Sequence, residues 1–198
     1  MTTRFIGLAC VLMALAAFGT AQTSSPAPKP KSKPVRRTVT EVLDATVRNL
    51  EREFVPAAEA MPEETFSFAP TGGEFKGVRT FGEQIKHVAA VNYELGAAIL
   101  QEKPPVDVNG ESGPASITSK EDILKYLKAS FEYAHKAIAT INEKNLTEPV
   151  RSPFGEGTVS RLGLATFVSS HGYDHYGQMV EYLRMNGIVP PASRGGSN

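Results

Sequence analysis

Two histidines lie one helical turn apart near the carboxyl end of the chain. His171 and His175 are four residues apart in the stretch HGYDHYGQ, which ends at Gln178. Residues with this spacing share one face of a helix. The same face also carries mostly apolar side chains at spacings of three and four, namely Leu164, Val168, Met179 and Tyr182. The two imidazoles therefore occupy positions that a helical bundle normally fills with apolar residues.

A third histidine could complete a metal site with this pair. A buried imidazole needs a hydrogen-bond partner or a metal ion, because an unpaired buried polar group costs about 1–3 kcal/mol. The best candidate is His87, which lies beside Val88 in another helical run. Three neutral imidazoles from two facing helices could hold a divalent ion and leave one position for water or substrate. Protons would compete with the ion below the ordinary histidine pKa of about 6.5. The alternative is a pair of hydrogen-bonded or solvent-edge histidines, but the apolar stripe favours ligation.

Other polar residues near the histidines receive weaker assignments. Gln178 and Tyr182 continue the histidine face by one and two turns, so either could orient a ligand or hydrogen-bond a substrate. Glu94 could act as a carboxylate base, although a surface charge is the favoured interpretation. Asp174 is expected to point away into solvent, and His135, beside charged neighbours, is interpreted as a partly exposed helix residue outside the site. No catalytic residue is assigned.

The chain resembles the DinB-like (damage-inducible B) proteins in two motifs. The HxxxHxGQ pattern that begins at His171 is similar to the last helix of that family, and the stretch FGEQIKHV that begins at Phe81 is similar to its second helix. The resemblance spans roughly residues 39 to 190 in element order. It implies a four-helix bundle that binds zinc, nickel or iron through His87, His171 and His175. Some relatives are metal-dependent thiol S-transferases and others are described as hydrolases, so the resemblance does not predict the substrate.

Four amphipathic segments are predicted to form the helices of the bundle. The predicted helices run from Thr38 to Pro62, from Thr80 to about Gln101, from Thr118 onward, and from about Val159 to Asn186. The first two start with a threonine three residues before a glutamate, as in a capping box, and the third begins at the stretch TSKE that starts at Thr118. No stretch shows sustained strand alternation, so the prediction is an all-α four-helix bundle of the DinB-like type.

Long connections separate these helices. They span about 61–79, 103–117 and 144–158, and the first contains Phe66, Phe68 and Phe75. Loops of this length in a bundle often cover a site or admit a substrate. The phenylalanines could equally close one end of the bundle.

The first 21 residues are ordered like a secretory signal peptide. Arg4 precedes an apolar run from Phe5 to Phe18, and small residues lead up to Ala21. This order predicts cleavage after Ala21 and a periplasmic or secreted protein. The run is too short to span a bilayer comfortably, so no stable membrane span is expected after processing. Cleavage would also remove Cys10, the only cysteine, so any thiol would have to come from a substrate.

The remaining sequence suits one domain. Residues 22–37 are rich in proline and lysine and predict a linker, residues 38–192 a single bundle, and residues 193–198 a flexible tail. The formal net charge is zero and both signs are interspersed, so the basic stripe of a nucleic-acid binder is missing. A homodimer through a bundle face is left open.

The sequence supports two functional hypotheses. The leading one is an exported metal-dependent hydrolase or thiol S-transferase that acts on a small-molecule substrate, with the ion activating water or a thiol. The alternative is a non-catalytic bundle that binds a metal or small ligand. Structural zinc sites usually have four protein ligands, so three histidines favour an open site.

Overall fold

Four helices dominate the computed structural model, which describes residues 35–195. They are α1 (Val39–Ala60), α2 (Phe81–Leu100), α3 (Lys120–Ile138) and α4 (Arg161–Met185). Two short strands, β1 (Pro149–Arg151) and β2 (Thr158–Ser160), stand between α3 and α4 in the chain. Short 3-10 turns cover Glu63–Thr65 and Pro191–Ser193. The predicted all-α bundle is confirmed, whereas the signal peptide and most of the linker lie outside the described residues.

The first two helices begin where the sequence predicts. Thr38 accepts a hydrogen bond from the Glu41 amide at 3.2 Å, and the Glu41 carboxylate accepts one from the Thr38 amide at 2.7 Å. Thr80 and Glu83 form the same reciprocal capping box at the start of α2. These local bonds satisfy amide groups that have no partner within the helix, which is why the spacing alone fixes both starting points.

The other two helices begin slightly later than predicted. Ser119, rather than Thr118, caps α3, because its hydroxyl accepts from the Asp122 amide at 3.1 Å. Ser160 caps α4, and Val159 lies in β2 instead of in the helix. In both cases the helix begins after a serine whose hydroxyl accepts a hydrogen bond from an amide of the first turn; Thr118 could have capped α3 in the same way, whereas Val159 has no side-chain acceptor.

The loop before α4 folds into a hairpin that the sequence did not indicate. Val150 on β1 pairs with Val159 on β2 in an antiparallel register. Gly155 and Gly157 adopt φ angles of 77° and 106°, which residues with a Cβ rarely reach, and they turn the chain between the strands. Strands of three residues are too short to show the alternation by which strands are recognised.

Helix α2 is the most enclosed element of the bundle. It packs against both α3 and α4, and 15 of its 20 residues are buried. Helix α1 contributes Val47, Leu50 and Phe54, all fully buried as the predicted stripe requires. Helix α4 crosses α1 closely at Gly172, where an added Cβ would lie 2.2 Å from Leu50 Cδ2. Among the described residues, no helix is both long and apolar enough to cross a membrane.

The loop between α1 and α2 closes one end of the bundle. Phe66 stacks edge to face on Phe81 with ring centroids 5.5 Å apart, and Phe68 does the same with Tyr182 at 5.6 Å. Phe75 is more exposed, at 38%. Of the two roles left open for this loop, packing is the one that Phe66 and Phe68 perform.

Candidate metal centre

The three predicted histidines meet between α2 and α4. His87 comes from α2, and His171 and His175 come from α4. One ring nitrogen from each lies within 4.8 Å of the other two, and the Nε2 atoms of His87 and His171 are 3.1 Å apart. The two helices run antiparallel, because Gln84 pairs with Gln178 at one end while Arg161 bonds the Ile99 carbonyl at the other.

Hydrogen bonds orient two of the three rings. His87 Nδ1 donates to the Glu111 carbonyl at 2.9 Å, and His175 Nδ1 donates to Gln84 Oε1 at 2.5 Å. Both partners are acceptors, so each Nδ1 carries the proton and each Nε2 keeps a free lone pair. His171 Nδ1 is buried and has no hydrogen-bond partner within residues 35–195.

The surroundings keep all three imidazoles neutral near pH 7. Burial, followed by repulsion from His175 and His87, lowers the pKa of His171 to about 3. Burial, followed by repulsion from His87 and Arg79, lowers the pKa of His175 to about 4. Burial also lowers the pKa of His87. A neutral imidazole is the form that binds a metal, so the electrostatics suit ligation.

The three ring nitrogens are close enough together for one divalent ion to reach, and one pair has the separation of two ligands on the same ion. Two imidazole nitrogens that each bind a zinc ion at about 2.0–2.1 Å lie roughly 3.3 Å apart in a tetrahedral site. The 3.1 Å between the Nε2 atoms of His87 and His171 is close to this separation. Imidazole ligands suit zinc, nickel and iron alike. Three protein ligands would leave a coordination position free for a substrate or solvent.

Gln84 is the supporting residue that the sequence reasoning missed. Its Oε1 accepts from His175, and its Nε2 donates to Gln178 Oε1 at 2.8 Å. Gln178 in turn donates to Asp174 at 3.1 Å. Gln178 therefore acts on the histidines only through Gln84, and Asp174 is exposed as expected. The available signal was the position of Gln84, three residues before His87 and on the same helix face.

Tyr182 and His135 both lie away from the triad. The buried Tyr182 hydroxyl donates to the Arg79 carbonyl at 3.2 Å, so its hydrogen bond goes to the main chain before α2. His135 on α3 contacts two carboxylates of α1, with Nδ1 2.6 Å from Asp44 and Nε2 3.1 Å from Glu51. The exclusion of His135 from the site agrees with this placement.

Glu94 is not the surface charge that the sequence favoured. Its side chain is half-buried and lines a cavity of about 670 Å³. Its Oε2 atom is buried without a hydrogen-bond partner in the described chain. Burial, and then repulsion from Glu111, raises the pKa of Glu94. The surface interpretation is wrong because the loop after α2 covers this side of the helix, which a helical periodicity cannot reveal.

Comparison with known proteins supports this architecture. Residues 46–179 match the family model of the DinB superfamily. A DinB-like protein from Bacillus cereus ATCC 10987 is 16% identical, with a TM-score of 0.64 over 79% of this chain and 98% of its own. YfiT from Bacillus subtilis, described as a probable metal-dependent hydrolase with an unusual four-helix bundle topology, is 14% identical, with a TM-score of 0.54 over 79% and 94%. No curated protein sequence matches the chain.

Proposed function

The chain belongs to the DinB superfamily, and on that basis we propose that it is a metal-dependent enzyme whose His87, His171 and His175 hold one divalent ion. The observation that carries the proposal is the convergence of these three imidazoles, with ring nitrogens within 4.8 Å of one another. Two of the rings are oriented by acceptors on their outer nitrogens. Such outer partners are a common feature of metal-binding histidines.

The proposed reaction is either hydrolysis of a substrate or thiol S-transfer, in which the sulfur of a thiol attacks the substrate. A bound divalent ion supplies Lewis acidity, which makes water or a thiol nucleophilic near neutral pH. The description of YfiT as a probable metal-dependent hydrolase supports the hydrolytic version. Residues 35–195 contain no cysteine, so the thiol in a transfer reaction would belong to a substrate. Glu111 and Gln84 would keep His87 and His175 in their ligating orientation.

Export is part of the same proposal. The order of Arg4, the apolar run from Phe5 to Phe18 and the small residues up to Ala21 supports cleavage by a signal peptidase. Mass spectrometry of the periplasmic or secreted fraction should find a chain that begins at Gln22. An intact species that begins at Met1 and stays in the cytosol would contradict export.

Metal analysis followed by an activity panel tests the enzyme proposal. The purified protein should hold about one divalent ion per chain, and turnover on an ester or thiol-transfer substrate should disappear on chelation and in His175→Ala. The control is His135→Ala, which removes a histidine of the same bundle without touching the triad. Activity that survives chelation would place the chemistry elsewhere. A full complement of metal with no turnover across the panel would favour the non-catalytic metal-binding bundle.

A further inference from the structure

A cavity lies farther along α2 from the histidines. It is a cavity of about 670 Å³ between the carboxyl-terminal half of α2, the loop that follows this helix, and β1 with the turn after it. Its volume falls in the range of about 300–1,000 Å³ that is typical of small-molecule sites. Much of its wall is apolar, including Ala98, Pro104 and Val108.

One wall of the cavity carries an unsatisfied carboxylate. Glu94 is half-buried and lines the cavity, and neither of its carboxylate oxygens has a hydrogen-bond partner in residues 35–195. Its Oε2 atom is closed off from solvent, so Oε1 is the oxygen that the cavity can reach. A carboxylate left in this condition loses the hydration of its charged form, which agrees with the upward direction of its pKa. An ammonium or other donor group on a ligand in the cavity could bond this accessible oxygen and offset the charge of the half-buried carboxylate. The carboxylate is therefore positioned to select for a donor.

Two cations line the same cavity. Lys103 follows α2 and Arg151 ends β1, and both side chains are exposed. Neither forms an ion pair in the part of the chain that the structure describes. Glu102 also lines the cavity, but its carboxylate already accepts the Tyr133 hydroxyl at 2.7 Å. The cations are thus available to an anionic group, whereas the second carboxylate is occupied.

The cavity and the triad share two structural elements. Helix α2 carries both His87 and Glu94, which are seven residues and about 10.5 Å apart along the helix axis and lie on nearly the same face. The loop after α2 provides Val108 to the cavity and the Glu111 carbonyl to His87.

An aromatic contact joins the two sites on the other side. Phe154 follows the cavity-lining residues Ser152 and Pro153, and its ring packs on Phe167 at 6.1 Å. Phe167 packs on His171 at 5.5 Å. Phe154 and Phe167 therefore form a chain of contacts from the residue after the cavity lining to a histidine of the triad.

We propose that this cavity binds the substrate of the triad, and that the substrate class is a zwitterionic small molecule with an ammonium group for Glu94, an apolar segment, and a carboxylate for Arg151 and Lys103. That this ligand is a substrate rests on the proposed metal-dependent function. Binding of the ligand in the cavity does not depend on the metal. A dipeptide has this arrangement of groups and serves as the probe.

Calorimetry with alanyl-leucine and two blocked forms tests the recognition. The free dipeptide should bind the full-length protein about tenfold more tightly than its N-acetyl form and about tenfold more tightly than its C-terminal amide, because each blocked form loses one charge-assisted hydrogen bond. Glu94→Gln should abolish the preference for the free amine, and Arg151→Gln should reduce the preference for the free carboxylate. Glu102→Gln is the matched control and should keep both preferences.

The outcomes separate this inference from the metal proposal. His171→Ala should lose metal yet bind the dipeptide as the unsubstituted protein does. If the dipeptide shows no saturable binding at millimolar concentrations, or if Glu94→Gln keeps the amine preference, the cavity assignment is overturned even when metal and turnover are present. If both preferences appear in a protein that holds no metal, the recognition stands and the metal-dependent function fails. Circular dichroism confirms that each variant is folded.

Discussion

The bundle contains histidines in two opposite settings. His135, between α3 and α1, has a carboxylate on each ring nitrogen, from Asp44 and Glu51. The three histidines between α2 and α4 face one another instead, and each has a lowered pKa. Both ring nitrogens of His135 are used by acceptors, so no lone pair is directed to a shared point. The triad leaves inner nitrogens in need of a positive partner.

This contrast shows that the atoms around a histidine decide its chemistry more than its place on a helix does. His135 and His175 are both helix residues with mostly buried rings. Acceptors on both nitrogens suit a structural contact between helices. An acceptor on one nitrogen, with other imidazoles on the opposite side, suits metal binding.

The largest expected effect is the loss of metal on removal of a triad histidine. His171→Ala should lower the metal content from about one ion per chain to near zero, because two imidazoles on separate helices remain where three are needed. His135→Ala should keep the full metal content. Elemental analysis of the two purified variants makes the comparison, and equal metal content in both would remove His171 from the site.

A smaller effect is expected from the residue that orients His175. Gln84→Ala should weaken metal binding by about 10–100-fold, because His175 loses the acceptor that fixes its tautomer and ring position. Gln178→Ala should have less effect, since its contact reaches the ring only through Gln84. A competition titration with a metal-binding dye gives both affinities. If Gln178→Ala lost more metal affinity than Gln84→Ala, Gln178 rather than Gln84 would be the main support of His175.

The close crossing of α4 and α1 beside the triad sets a packing prediction. Gly172→Ala should destabilise the fold by about 1–3 kcal/mol, because its Cβ would overlap the fully buried Leu50 side chain. Gly177→Ala, on the exposed side of the same helix with no atom within 4 Å of the added Cβ, should be neutral or stabilising by up to about 1 kcal/mol. Urea unfolding measures both changes. Equal effects would mean that the helices do not approach as closely as the structure shows.

The pH dependence of metal binding should follow the lowered pKa values. A lowered pKa means that protons compete with the ion only under more acidic conditions. Affinity should therefore persist below the ordinary histidine pKa of about 6.5, because the pKa of His87 is also lowered. It should fall roughly tenfold per pH unit for each ligand that becomes protonated, down to the values of about 4 for His175 and about 3 for His171. This revises the sequence-based expectation of a loss below about 6.5. Metal titrations across this range, with folding followed by circular dichroism, check it, and a midpoint near 6.5 would indicate solvent-exposed ligands.

The sequence predicted much of this protein because its signals are local. The capping boxes at Thr38 and Thr80 act over three residues, and the four-residue spacing of His171 and His175 places both on one helix face. The choice of His87 as their partner needed only the expectation that two apolar helix faces pack together. The short strands and the starts of α3 and α4 were less accessible, since several nearby residues could satisfy the same local pattern.

The sequence by itself determined the four helices, the three histidines and the exclusion of His135 from their group. Only the tertiary structure decided that Gln84 supports His175, that Tyr182 bonds the main chain, and that Glu94 lines a cavity. These three facts depend on loops and helices distant in the chain, which meet a side chain only after folding. Helical periodicity reports which face of a helix is apolar, but the burial of a polar residue depends on the segment that covers it.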